Sequence, residues 1–184
     1  MNAVADDRCD VWRPQAVPNY SKPVFGNDIF LLNTAGTVIL SSTDALVRSP
    51  GPNVPSPSYY KDYNRVDDIT FGNGQFLAIL AGDYSNSSEY NYLAVGNGQV
   101  WNTAHAQPQY SYFQEVEFGN GVFVAIDGIY RTAVRTSPDG YTWSSPKNLS
   151  SSISSLSYGN GIFVAIYTLD GKGRVATSGE PPRS

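Results

Sequence analysis

Phe118-Gly119-Asn120-Gly121-Val122-Phe123-Val124-Ala125 is the stretch from which the fold is read. It returns as Tyr158-Gly159-Asn160-Gly161-Ile162-Phe163-Val164-Ala165 and as Phe71-Gly72-Asn73-Gly74-Gln75-Phe76-Leu77-Ala78, and a worn copy, Phe25-Gly26-Asn27-Asp28-Ile29-Phe30-Leu31-Leu32, opens the series. The starts at 25, 71, 118 and 158 lie 46, 47 and 40 residues apart. A period in this range marks a propeller, a solenoid or another array of repeated units. Asn-Gly between two apolar runs is a strong hairpin signal, because a type I′ turn needs positive φ at both central residues. Asn73-Gly74, Asn120-Gly121 and Asn160-Gly161 therefore read as turns, each leading into a short β-branched and aromatic strand. No Lys-Ser/Thr follows the glycines and no helical period opens after them, which excludes a phosphate-binding loop.

The composition agrees with a turn-rich β protein. The chain has 184 residues, only 15% of them charged, with 13 Tyr, 17 Gly and 12 Pro. That length supports one domain with a substantial core. A net charge of −4 gives no basic footprint, so neither nucleic acid nor an anionic membrane is expected as a partner. No apolar run approaches the ~20 residues a membrane-spanning helix needs. The first residues lack the basic and apolar parts of a signal peptide. The single cysteine, Cys9, rules out an intrachain disulfide and fits synthesis in a reducing cytoplasm. With one His and one Cys, a protein-only zinc site is not expected, and no cofactor is implied.

Read in order, each unit predicts about four short strands, the content of a propeller blade. In the third unit they fall at 115–118, 122–126, 132–136 and 142–143. In the second, Asn97-Gly98 makes another hairpin, ending on Trp101. The first unit runs into a Pro-rich stretch at 49–57, which is incompatible with a central strand, so its outer strand is expected to be short or irregular. The fourth unit predicts a turn at Gly171-Lys172-Gly173 and a third strand over 174–178, but it carries no Trp strand. Trp101 and Trp143 precede the next phrase by 17 and 15 residues, and Trp12 precedes Phe25 by 13. Residues 8–15, which hold Asp10-Val11-Trp12-Arg13, therefore carry what the last unit lacks. The expectation is a single four-bladed β-propeller over residues 1–184, closed when that segment adds the outer strand of the last blade. Closure of this kind removes exposed sheet edges.

Ser137-Pro138-Asp139-Gly140-Tyr141-Thr142-Trp143 resembles the Asp-box of the bacterial neuraminidase repeat, S-x-D-x-G-x-T-W, with one residue fewer between Asp and Thr. Together with the F-G-N-G phrase it is similar to the Asp-box propeller repeats of bacterial and phage-encoded proteins. Ser41-Ser42-Thr43-Asp44 and Thr177-Ser178-Gly179-Glu180 are remnants of the box, and unit two substitutes Asn97-Gly98. The resemblance implies that Asp139 caps a hairpin, as Asx-turns do, and that Trp143 packs between blades.

A neuraminidase-type site would need an arginine cluster and a Tyr/Glu pair. Of the arginines, only Arg135 and Arg174 stand before a third-turn Thr-Ser, and a solvated position on a repeated strand explains that pair. Asp67, Asp68, Asp127 and Asp170 are available as carboxylates without a distinguishing pattern; Asp127 and Asp170, which follow second strands, read as loop residues. A Ser/His/Asp triad would have to use His105, which lies in a loop-entering segment. Two non-enzymatic roles follow. The first is a structural or assembly module, resembling phage capsid decoration, tail or fibre components, whose partners are other virion proteins or a host receptor. It would be made in the cytoplasm and reach the exterior by lysis. The second is a lectin binding surface glycan. Contacts are expected on loops 49–62 and 83–91 and on Tyr59, Tyr60, Tyr63, Tyr84, Tyr90, Arg135 and Arg174; a homo-oligomer is compatible with either role.

Overall fold

The structure is a computed structural model, and it describes residues 23–33, 39–44, 49–51, 66–80, 92–105, 112–149 and 151–179. Trp12, Tyr59, Tyr60, Tyr63, Tyr84 and Tyr90 lie outside the described residues, as does segment 8–15. Among the described residues the chain is all-β. The first sheet holds β1 (Val24–Gly26), β2 (Ile29–Asn33), β3 (Ile39–Ser42) and β4 (Ser49–Pro50). The second holds β5 (Val66–Gly72), β6 (Gln75–Leu80), β7 (Tyr92–Gly96) and β8 (Trp101–His105). The third holds β9 (Phe113–Gly119), β10 (Val122–Asp127), β11 (Ala133–Ser137) and β12 (Lys147–Asn148). The fourth holds β13 (Ile153–Gly159), β14 (Ile162–Leu169) and β15 (Lys172–Thr177). Every sheet is antiparallel with its strands in chain order. First strands lie beside first strands, β1 against β5, β5 against β9 and β9 against β13, so the sheets radiate from a common line as propeller blades do.

The repeated turn behaves as its chemistry requires. Asn73, Asn120 and Asn160 have φ of 49°, 48° and 50°, and the glycines after them have φ of 74°, 75° and 81°. Asn tolerates this left-handed region and Gly enters it freely. In the first unit Asp28 takes the glycine's place at φ 60°. The hairpin register follows, with Phe118 opposite Phe123 and Phe71 opposite Phe76.

A second job of the same residues joins one sheet to the next. Asn27 Nδ2 donates to Gly74 O (3.1 Å) and Asn97 O (3.2 Å) of the second sheet. Asn73 Nδ2 donates to Gly121 O (3.2 Å) and Pro138 O (3.0 Å) of the third. Asn120 Nδ2 donates to Gly161 O of the fourth (2.7 Å). The first glycine of each phrase seats the aromatic ring of the next. A Cβ on Gly26 would come within 2.2 Å of the Phe71 ring, on Gly72 within 2.0 Å of Phe118, and on Gly119 within 2.2 Å of Tyr158.

Between sheets lie three apolar layers rather than one core. Leu31 and Ile39 of the first sheet meet Ile69, Phe76 and Trp101 of the second. Leu77, Leu93 and Val95 of the second meet Phe113, Phe123 and Trp143 of the third. Val124 and Ile126 of the third meet Leu156, Phe163 and Ala165 of the fourth. Each sheet buries its apolar faces against its neighbours, which is the stability logic of a repeat array.

Two expectations need correction. The outer strand of the third sheet is Lys147–Asn148, not 142–143, because Thr142 and Trp143 complete the capped turn before the chain returns to pair with β11. The last turn is Asp170-Gly171, both at positive φ, which puts Lys172 and Gly173 into β15. The fourth sheet has three strands among the described residues. The short outer strand expected for the first unit is found, as Ser49–Pro50.

The glycine seats carry a clear expectation. Gly72→Ala and Gly119→Ala each force an aromatic ring out of place, and each should cost about 1–3 kcal/mol, the usual range for overpacking, measured as a shift in the urea midpoint at unchanged m-value.

Candidate functional site

The carboxylates nearest the common line are engaged in holding sheets together. In the second, third and fourth sheets the pairing of the first strand with the second slips at the same place, just before Asp68, Glu115 and Ser155. Such a bulge re-aims the side chains beside it. Asp68 Oδ2 accepts the Val116 N–H of the third sheet (2.9 Å), while its Oδ1 accepts the N–H of Ile69 (2.9 Å). Glu115 Oε1 accepts the Leu156 N–H of the fourth sheet (2.9 Å). Its Oε2 binds Arg131 Nη2 (2.6 Å), whose Nε donates to Ile153 O (2.6 Å). Arg131 itself stands at φ 56°, so a strained backbone aims its guanidinium across the seam.

Asp127 is not the loop residue that its place after a second strand suggested. It is 4% exposed and ion-paired through Oδ2 to Arg135 Nε, and its Oδ1 accepts the N–H of Tyr112 and of Gly128, both at 2.7 Å. Arg135 is 6% exposed and also donates from Nη1 to Ser144 O (2.8 Å). The solvated position expected for it is corrected: the strand register turns it into the layer between sheets. Nor is Arg174 its counterpart. Arg135 pairs with Ala125, whereas Arg174 pairs with Tyr167, and Ala176 holds the equivalent place opposite Ala165. In the second sheet the positions of Asp127 and Arg135 are filled by Leu80 and Ala94. Asp170 is an exposed turn residue.

The Asp-box stretch is a capped turn. Asp139 Oδ1 accepts the N–H groups of Tyr141 and Thr142, both at 2.8 Å, and the Ser137 hydroxyl donates to it (3.1 Å). Trp143 Nε1 donates to Gly140 O (3.2 Å) while the ring packs 4.6 Å from Phe113. Asn97 performs the same cap in the second sheet, accepting from Gln99 N (2.9 Å) and Val100 N (2.8 Å). The Ser42–Asp44 pair repeats the Ser137–Asp139 contact at 3.1 Å. The Thr142 N–H, helped by Tyr141 N–H and the Ser137 hydroxyl, holds the Asp139 carboxyl below its ordinary pKa of 3.8, against a smaller opposing effect of burial.

Two features among the described residues are open to a ligand or partner. A cleft of about 340 Å³ separates the third and fourth sheets, walled by Val124, Val134, Leu156, Phe163 and Ala165. On the face opposite the Asn-Gly turns, Ile129 (59% exposed) and Tyr130 (78%) project from the loop between β10 and β11. The chain leaves β6 and re-enters at β7 on this same face. Among the described residues no group of three or more His, Cys, Asp or Glu is placed to hold a metal ion. Sequence reading missed Asp68, Glu115 and Arg131 as cross-sheet residues. The one signal that pointed to Asp68 and Glu115 was their place in the strand before a repeated phrase, and Arg131, which follows β10, had none.

Two measurements check these assignments. Arg135→Ala strands a buried carboxylate and should cost about 3–5 kcal/mol, and Asp127→Leu/Arg135→Ala, which copies Leu80 and Ala94, should cost less than the two single changes added together. Asp139→Asn keeps the cap in the form used by Asn97 but does not titrate. Since the folded pKa of Asp139 is depressed, its contribution is full above 3.8 and fades as pH falls through the folded value. Melting curves from about pH 6 to about pH 3 should therefore show the parent losing stability relative to Asp139→Asn only at the acid end.

No family model matches the sequence, and no curated protein matches it significantly. Among solved structures it is similar to the computationally designed Ika4 protein (TM-score 0.55, 12% identity, covering 90% of this chain and 94% of that one). It is similar also to the computationally designed Ika8 protein (TM-score 0.56, 11% identity, 85% of this chain and 45% of that one). A third likeness is to GH43B of the Bacteroides ovatus xyloglucan PUL (TM-score 0.56, 12% identity, 87% of this chain and 38% of that one). The chain thus spans nearly all of one of these proteins and under half the length of the other two. At such identities the likeness concerns the fold alone, and that fold is propeller-like.

Proposed function

We propose that this chain is a non-enzymatic assembly module, a four-bladed β-propeller that recognises a protein surface as a component of a virion, such as a phage capsid decoration, tail or fibre. The observation that carries the non-enzymatic reading is the engagement of Asp68, Glu115 and Asp127. All three accept backbone N–H groups, and Glu115 and Asp127 also hold an arginine. Glycoside hydrolysis needs two carboxyl groups on opposite sides of a bond, about 5–10 Å apart, one of them free to exchange a proton. Hydrolysis is the competing reading because the xyloglucan PUL protein shares the fold; lectin binding is the other.

In this reading the contact face is the one opposite the Asn-Gly turns, where Ile129 and Tyr130 stand exposed. The turn face is tied down by the asparagine bridges, whereas loops on a rigid scaffold are free to carry recognition. The four sheets close into one ring when residues 8–15 pair beside β15. In the structure the repeated ring-and-seat contact is not made between the fourth unit and the first, and the closure reading assigns these two halves to each other. Phe25 is 54% exposed, and a Cβ on Gly159 would meet nothing within 4 Å. The inward ring of one unit and the seat of another remain for each other.

Three results test the proposal. Ile129→Ser/Tyr130→Ala should weaken capture by the recipient particle at least tenfold, on the order of a hot-spot pair, without moving Tm. Turnover of aryl arabinosides, xylosides or fructans by the purified protein would overturn the non-enzymatic reading, and saturable binding on a glycan array would favour the lectin. For closure, Gly159→Ala should be about as costly as Gly119→Ala, roughly 1–3 kcal/mol, because Phe25 then lies over it. A neutral Gly159→Ala would mean an open array.

A further inference from the structure

We infer that the cleft between the third and fourth sheets is the seat of Trp12, supplied by the chain's own N-terminal segment. The inference rests on the closure reading above and specifies where the closing segment anchors. Its ground is the equivalence of walls. Between the second and third sheets, Trp143 packs among Leu77, Leu93 and Val95 on one side and Val116, Phe123 and Ala125 on the other. Strand register puts Val124, Val134 and Thr136 where Leu77, Leu93 and Val95 stand, and Leu156, Phe163 and Ala165 where Val116, Phe123 and Ala125 stand. Those six residues line the cleft. Trp101 holds the same station one interface earlier, 6.3 Å from Phe76.

In both of those interfaces the tryptophan belongs to the later sheet, close to where its fourth strand begins: Trp101 opens β8, and Trp143 precedes β12. For the fourth sheet that chain would pair with β15, which has β14 on one side and exposed Val175 (64%) along its length. Trp101 and Trp143 are placed elsewhere, so Trp12 is the tryptophan left for this station. The link fits as well. Trp12 precedes Phe25 by 13 residues, against 17 and 15 for the other two, so the chain leaving the cleft reaches β1 without a longer connection. A volume of about 340 Å³ accommodates an indole and part of its backbone. A glycan is a poor occupant of these walls, since five of the six side chains are apolar.

The test is fluorine NMR on the full chain labelled with 5-fluorotryptophan, with Trp12→Phe assigning one of three resonances. We expect the Trp12 resonance to show no H2O/D2O solvent shift, like those of Trp101 and Trp143, in a sample that light scattering finds monomeric. Deleting residues 1–15 should lower Tm by about 10 °C and make the cleft bind an apolar dye. If deletion destabilises the protein but Trp12 shows a full solvent shift, closure stands and the seat is overturned. If deletion changes nothing, both fall. If Trp12 is shielded only at concentrations where the protein is dimeric, the occupant is the segment of a second copy, and the assignment to the same chain is wrong.

Discussion

Everything in this molecule depends on a left-handed asparagine whose side chain reaches the neighbouring sheet. A type I′ turn fixes Asn73 and Asn120 at positive φ, and that backbone aims their Nδ2 groups at the following sheet's turn carbonyls. Alanine would fill neither role, since it resists that φ and has no donor. The glycine before each asparagine then sets the distance of approach by leaving room for a ring. Local turn chemistry and sheet-to-sheet spacing are thus one constraint, met by three consecutive residues.

The buried polar groups extend the same logic inward. A bulge at one place in three first strands turns Asp68 and Glu115 toward amides of the next sheet. Those amides would otherwise stand unpaired where the sheets converge, at a cost of about 1–3 kcal/mol each. Acidic residues near a propeller axis invite a catalytic interpretation, and here their hydrogen bonds argue for masonry instead. Asp127 and Arg135 show how far the repeat tolerates exchange, an ion pair in one sheet standing where Leu80 and Ala94 stand in another.

Much of the fold was legible because it is written in backbone preference. Asn-Gly announces a hairpin whatever surrounds it, Pro50 confines its strand to an edge, and Asp139 caps a turn with neighbours two and three residues away. What was not legible is what lies between sheets. Asn120 is fully explained as a turn residue, so nothing in the sequence asks for its bond to Gly161, 41 residues on. Asp127 and Asp170 look alike in order, and only register separates a buried ion pair from an exposed turn. Arg135 and Arg174 both stand before a third-turn Thr-Ser, but by one residue and by three, so they occupy different stations along their strands, opposite Ala125 and Tyr167. The cleft, a property of two sheets at once, had no linear signature beyond the tryptophan spacing.

The aromatic ring and its glycine seat also give the array a polarity. At each of the three described junctions the later unit offers a ring and the earlier unit a seat, so these units join head to tail and never face to face. Growth of such a chain by duplication inserts a complete ring-and-seat pair and demands no new kind of contact. A lineage of such chains can change its number of units in one genetic step while leaving its chemistry untouched.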